Sequence, residues 1–290
     1  MSKMGIDERE VRRLLSSAGI VPKRSLGQNF LTDPQIAKLI SDVITGFSES
    51  SIEIGPGLGS LTVQLSASSD QVVAIEKDET LAALLISSLI ERGISNVEVL
   101  IDDALHYDFE ESAIRNKITC VAGNLPYNIS VPLILRILES APTVQSMVFL
   151  VQTEVARRLC AKPGSKDASM TSLITNFYSD PLELFDVPNS SFTPAPNVGS
   201  TLIAFVRTNA WISGYGALAL TAARDVARLA FSHRRQMLRR SLSDGGLREL
   251  LFSLDIDETR RPETLTVLEW ANIGKEVLAT GIAHHDLRET

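Results

Sequence analysis

Between residues 51 and 151 apolar runs of strand length alternate with helical stretches, and no other feature constrains the fold of this chain as tightly. The runs cover 52–54, 72–75, 97–101, 118–122 and 147–151, with helices such as 79–91 and 132–139 between them. Runs apolar on both faces, each followed by a helix, predict a parallel sheet covered on both sides, because every crossover lays a helix on a sheet face. Upstream, 7–18 and 33–45 read as helices, the second opened by Asp33 as N-cap and Pro34 at the first helical position. A polar loop, KRSLGQNFLT, lies between them. Residues 182–187 and 201–207 read as strands with no long helix between them, which suits an antiparallel hairpin at one sheet edge. After Asn209 the strand pattern stops, and 216–230, 233–243, 246–254 and 265–279 read as helices, before a frayed tail HHDLRET. The expectation is an α/β chain: a doubly wound, mostly parallel sheet in residues 1–208 and a smaller all-helical domain in 209–290.

A length of 290 residues is consistent with two domains, since single cores rarely grow much beyond ~250 residues. No apolar run approaches the ~18 residues of a membrane span, and MSKMGIDEREVRR lacks the apolar core of a signal peptide, so a cytoplasmic protein is expected. Two cysteines, Cys120 and Cys160, are too few for a disulfide framework or a zinc site and read as reduced packing residues; no metal is implied.

Glu53-Ile54-Gly55-Pro56-Gly57-Leu58-Gly59 follows the first strand of the sheet and leads into a helix. Glycines at such a turn permit positive φ and let a ligand approach the backbone. Glu76 stands 21 residues after Gly55, at the end of the next strand, where an acid can accept hydrogen bonds from a ribose diol. Together these predict a nucleoside-containing cofactor. The spacing does not separate a dinucleotide from S-adenosylmethionine, although G-x-G-x-G departs from the dinucleotide pattern G-x-G-x-x-G.

Gly123-Asn124-Leu125-Pro126-Tyr127-Asn128 follows the fourth strand, which flanks the switch point of a doubly wound sheet together with the first. Its chemistry suits an exocyclic amino group. The N6 lone pair of adenine is delocalised into the ring, so the nitrogen attacks poorly until it is oriented. The amide oxygen of Asn124 and the carbonyl of Leu125 can accept its two N–H groups and aim the lone pair at a sulfonium methyl; Tyr127 can stack on the base.

These motifs resemble the ribosomal RNA adenine dimethyltransferases, in particular the bacterial KsgA type that modifies small-subunit RNA. The resemblance runs from about Ser25 to Arg240 and rests on Gly27-Gln28-Asn29-Phe30-Leu31, the glycine loop, Glu76, Asp103-Ala104, Asn124-Leu125-Pro126-Tyr127-Asn128 and Phe192-Thr193-Pro194-Ala195-Pro196-Asn197-Val198. It implies a class I, Rossmann-like methyltransferase fold and S-adenosylmethionine as cofactor, contacted by Asn29, Leu31, Gly55, Glu76, Asp103 and Asn124. Asp103 would hold the adenine end; Asp102 beside it is nearly interchangeable by sequence, and the Asp-Ala pattern of the family selects Asp103. Phe192 would be an aromatic partner for the target base. The implied reaction is N6,N6-dimethylation of two adjacent adenosines near the 3′ end of small-subunit (16S) RNA during ribosome biogenesis, by a monomer whose partner is the small ribosomal subunit. The chain departs from the family at Gly199, where an aspartate is usual, and at Ala168-Ser169-Met170-Thr171, where an aromatic-glycine-basic stretch is usual.

A net charge of −7 excludes a surface that is basic throughout, so RNA contact must be local. Six arginines fall between Arg224 and Arg240 with one acid, Asp225. On a continuous helix Arg235 and Arg239 would share a face, with Phe231, Leu238 and Leu242 on the apolar side. The expectation is a phosphate-contacting surface at Arg234, Arg235, Arg239 and Arg240; the alternative is a solvated helix whose arginines pair with the acidic body. Three rival functions remain: a paralogous enzyme that methylates large-subunit RNA and confers antibiotic resistance, a non-catalytic assembly or transcription factor, and, more distantly, a dinucleotide oxidoreductase.

Overall fold

Aspartate side chains start most of the early helices. Asp7 accepts the Glu10 backbone N–H at 2.9 Å to open α1 (Glu8–Ser17), and β1 (Phe30–Leu31) follows. Asp33 accepts from Gln35 and Ile36 to open α2 (Pro34–Thr45), with Pro34 in the first turn where its missing N–H costs nothing. The computed structural model describes residues 5–22, 29–126, 128–162, 164–233, 235–243 and 246–281.

From residue 50 the expected alternation is realised as β2 (Ser50–Ile54), α3 (Ser60–Ser68), β3 (Gln71–Glu76), α4 (Glu79–Glu91), β4 (Val97–Ile101), α5 (Phe109–Asn116), β5 (Cys120–Asn124), α6 (Ser130–Ser140) and β6 (Ser146–Gln152). These five strands run parallel to one another. After α7 (Thr153–Leu159) and α8 (Met170–Tyr178) come β7 (Ser179–Val187), a short β8 (Phe192–Thr193) and β9 (Ser200–Arg207). The sheet order is β4-β3-β2-β5-β6-β9-β7, with β9 antiparallel to β6. The strands β7 and β9 are neighbours at one edge, and the later of them lies on the inside. The strand order runs one way from β2 to β4 and the other way from β5 onward, so the switch point lies between β2 and β5.

One face of this sheet is built from alternate residues. Cys120 and Ala122, Val148 and Leu150, and Leu202 and Ala204 pack with Ile40 and Ile44 of α2 and Leu61 and Leu65 of α3. Gly123 has a steric reason: a Cβ there would collide with the Ile54 carbonyl oxygen on β2. A second ladder, absent from the sequence expectations, pairs β1 with β8 antiparallel, Phe30 opposite Thr193 and Leu31 opposite Phe192.

The chain divides into two compact units, one of Met1–Ala156 with Leu182–Val206, the other of Arg157–Pro181 with Arg207–Thr290. The sequence reading placed the whole of 1–208 in one domain; residues 157–181 instead join the helical unit. There, α9 (Ala210–Tyr215), α10 (Ala217–Ser232), α11 (Leu238–Ser241), α12 (Leu247–Ser253) and α13 (Val267–Thr280) share a core with Leu173 and Phe177 of α8. Gly274 of α13 lies so close to α10 that a Cβ would collide with the Ala219 carbonyl oxygen and sit 2.7 Å from the Ala223 nitrogen.

The continuous helix expected over 233–243 does not form. His233 ends α10 with φ −118° and ψ 43°, Met237 is extended, and only Leu238–Ser241 is helical. The Leu238 and Arg239 N–H groups donate to the carbonyls of Arg260 and Glu258 at 2.8 and 2.9 Å, so a neighbouring loop supplies partners that an unbroken helix would supply from within. The break lets Phe231 rest on the Trp270 ring, 6.0 Å between centroids, while Leu238 and Leu242 enter the core. Arg235 lies in the intervening turn and shares no helical face with Arg239.

Candidate active site

A cavity of about 460 Å³ opens at the carboxyl ends of β2, β3, β4 and β5. Its wall takes Glu53 to Leu58 from the first of these, Glu76 to Asp78 from the second, Asp102 to Leu105 from the third, and Asn124, Pro126, Asn128 and Ile129 from the fourth. Asn29, Phe30 and Leu31 complete it. The glycine loop is held open by backbone conformation: Gly55, Gly57 and Gly59 have φ of 64°, 56° and 90°, which disfavours any side chain. A Cβ on Gly55 would point into open space, whereas one on Gly57 would press at 3.2 Å on the Phe30 ring.

Glu76 ties this loop to β3. Its Oε2 accepts the Gly57 N–H at 3.0 Å and its Oε1 accepts the Asp78 N–H at 2.9 Å. Burial raises its pKa above the ordinary glutamate value, opposed by those two N–H groups. Each carboxylate oxygen keeps a lone pair for a further donor. Asp103 is held differently: Leu105 N–H donates to Oδ1 at 3.0 Å and Lys77 Nζ to Oδ2 at 2.7 Å, and the Lys77 hydrogen bond is the main reason its carboxyl lies below the usual aspartate range.

Asn124 ends β5 half-buried, and its Nδ2 donates to the Asn29 backbone carbonyl at 3.0 Å. With the amide nitrogen committed to protein, the amide oxygen remains as the acceptor of this side chain. Leu125 anchors the turn, its N–H donating to the Leu150 carbonyl at 3.1 Å and its side chain buried. Asn29, Leu31, Gly55, Glu76, Asp103 and Asn124 therefore border one cavity. Gln28, Tyr127 and Arg234 lie outside the described residues.

Phe192 is buried and does not line the cavity, contrary to the expectation of an aromatic partner for the target base. An aromatic partner for a base needs a free ring face, but Phe192 is 4% exposed and packs in the sheet core with Leu31, Val187 and Leu202. Its place opposite Leu31 explains why both motifs are needed: the β1–β8 ladder holds Asn29 to Leu31 against the cavity. Sequence reasoning missed Glu53, which is 2% exposed, lines the cavity, and has an Oε2 without a hydrogen-bond partner among the described residues. The available signal was an acid inside an otherwise apolar strand. Burial, with a smaller push from Glu76, raises its pKa to about 8; the Thr62 hydroxyl offsets part of this.

The two departures from the family pattern have structural counterparts. A Cβ at Gly199 would lie 2.8 Å from the Thr153 hydroxyl, which also takes a hydrogen bond from Thr201 at 2.9 Å. In the helical unit Ser169 forms a capping box with Ser172 that opens α8, and Ala168 is buried, so this stretch serves the helix start. Lys162 donates to Asn176 Oδ1 at 3.3 Å.

Residues 21–278 match the family model described as ribosomal RNA adenine dimethylase. The chain belongs to the ribosomal RNA adenine dimethylase family. Among curated members, the ribosomal RNA small subunit methyltransferase A of Desulforapulum autotrophicum is 35% identical over 90% of this chain and 93% of its own length. The protein of the same name from Geobacter sulfurreducens is 36% identical over 91% and 98%. Two solved structures share the fold: a dimethyladenosine transferase from Plasmodium falciparum, at a TM-score of 0.71 and 20% identity over 96% of this chain and 98% of that one, and the 23S rRNA methyltransferase ErmE, at 0.61 and 21% over 85% and 98%. Like this family, the chain carries a class I methyltransferase sheet. No helix among the described residues is long and apolar enough to cross a membrane.

Proposed function

We propose that this enzyme dimethylates N6 of two adjacent adenosines near the 3′ end of small-subunit ribosomal RNA, using S-adenosylmethionine and acting as a monomer on the small subunit. The observation that carries the reading is the Asn124 amide, fixed by the Asn29 carbonyl at the rim of the cavity so that its oxygen faces away from its own protein partner.

The residues present fit the cofactor. The cavity lies in the usual range for small-ligand sites, ~300–1,000 Å³, its glycine loop leaves room at the backbone, and the acids Glu53 and Glu76 in its lining suit a ligand that carries positive charge. When bound, S-adenosylmethionine supplies an electrophilic methyl group on its sulfonium. Glu76 would accept hydrogen bonds from the ribose hydroxyls, and Asp103 would accept from the adenine end. Asn29, Leu31 and Gly55 would line the remainder. Asn124 Oδ1 and the Leu125 carbonyl would accept the two N6–H groups of the target adenine, which orients the nitrogen lone pair and stabilises the positive charge developing on it. Tyr127 is assigned to stacking on the base. Arg234, Arg235, Arg239 and Arg240 are assigned to phosphate contact.

Labelled methyl incorporation tests the reading on immature small-subunit particles, large-subunit RNA and intact ribosomes, followed by mapping of the modified base. The target adenines must leave their stack to reach the site, so the immature particle with a mobile 3′ region should be the best substrate. Incorporation confined to large-subunit RNA would move the assignment to the resistance-type paralogue. Firm particle binding with no incorporation would favour a non-catalytic assembly factor.

A further inference from the structure

Glu53 is the one buried carboxyl of the cavity that the reaction above does not use. It sits on β2, with Glu76 at the end of the adjacent β3 as its main charged neighbour. The flanking β5 carries one titratable side chain, Cys120, whose thiol burial holds at about 11, and α3 carries none. On α2, Lys38 and Asp42 pair with each other at 2.7 Å on the surface. The cavity rim adds Lys77, Asp78, Asp102 and Asp103, and Lys77 is already bound to Asp103. Among the described residues no cation neutralises Glu53, its Oε2 lacks a hydrogen-bond partner, and the second acid, Glu76, repels its charge.

We propose that Glu53 holds a proton in the empty cavity and releases it to solvent when the cationic cofactor enters, so that cofactor binding is coupled to ionisation of this carboxyl. This rests on the S-adenosylmethionine reading. A buried carboxyl next to another acid favours its neutral form, and an arriving positive charge reverses that preference. The O–H bond of Glu53 breaks, the proton goes to buffer, and the carboxylate stays as counter-charge to the ligand. Glu76 keeps two backbone N–H donors that stabilise its charged form, whereas Glu53 has no backbone donor and only the Thr62 hydroxyl offsets its burial, which is why the proton is assigned to Glu53.

Calorimetric titration of S-adenosylmethionine into the full chain, repeated in buffers of different ionisation enthalpy from pH 6 to 9, counts the protons released. The α-amino group of the cofactor itself titrates near pH ~8, so the readout is the difference between the wild type and Glu53→Gln, which mimics the protonated acid. At pH 7 the wild type should release close to one proton more than Glu53→Gln. Its affinity should rise by up to about tenfold per pH unit between pH 6 and 8 relative to the variant, then level off. A second measurement needs no cofactor. Between the unfolded carboxyl value and about 8 the folded protein binds the extra proton, so wild-type stability should fall through that window as pH rises, while Glu53→Gln should not share the fall. Binding with equal proton release in both proteins, or identical stability profiles, overturns the inference and leaves the cofactor reading intact. No binding heat at any pH, with a competing nicotinamide dinucleotide bound instead, overturns that reading and the inference with it.

Discussion

The glycine loop of the sheet unit and the arginine segment of the helical unit are both motifs visible in the sequence, yet only one of them has its geometry dictated by its own residues. In the loop, three glycines with positive φ, the Glu76 carboxylate and the Phe30 ring leave the backbone one path. In the segment, Arg235, Arg239 and Arg240 are exposed and carry charge without shape, so the path of the chain is decided by where Leu238 and Leu242 find a core. Substitutions in the first region should act on defined steps of the reaction, and those in the second should act on affinity in a graded, salt-dependent way.

The largest effect should come at the amide. Asn124→Ala should lower single-turnover methyl transfer by ~10²–10³-fold, the scale of losing one oriented hydrogen-bonding group in a reacting site, while binding to small-subunit particles stays near the wild-type value. Wild-type turnover would break the orientation argument. Tyr127→Ala should reduce turnover less.

Next in size is a packing test of the helical unit. Gly274→Ala gains helix propensity, ~1 kcal/mol, but forces α13 away from α10, and thermal unfolding should show a net loss of about 1–3 kcal/mol. A gain in stability would mean that the helices separate without cost.

Glu76→Ala should weaken S-adenosylmethionine binding by ~1–3 kcal/mol through loss of charge-assisted hydrogen bonds, measured by calorimetry. The same substitution also frees the Gly57 N–H, so a rise in loop mobility by hydrogen exchange should accompany it. Tight nicotinamide dinucleotide binding with none of S-adenosylmethionine would overturn the cofactor assignment.

The smallest effects per residue belong to the arginines. Replacing Arg234, Arg235, Arg239 and Arg240 by Glu should weaken particle binding and flatten its salt dependence, each lost phosphate contact reducing the slope of log affinity against log salt by ~1. Cofactor affinity should be unchanged. An unaltered slope would show that these side chains serve the pairing already seen nearby, where Arg248 and Arg260 meet Glu258 and Glu269.

Much of this protein follows from local rules. Period and crossover logic were enough to place the parallel strands and most of their helices, and Asp33 with Pro34 the start of α2, because each depends on residues a few positions apart. The glycine loop, Glu76 and the Asn124 turn were legible for the same reason: strand ends in a doubly wound sheet converge wherever the order reverses. Tertiary structure alone decided the rest. Thr32 and Ser191 are 159 residues apart, and their 2.8 Å hydrogen bond beside the β1–β8 ladder leaves no periodic trace in either segment. The break after Ser232 depends on the carbonyls of Glu258 and Arg260, and the burial of Phe192 on Leu31 and Leu202. Glu53 is the clearest case: a single acid in a strand has no intrinsic burial, and only the strands, helix and second carboxylate packed around it turn an ordinary glutamate into one whose charge waits on a ligand.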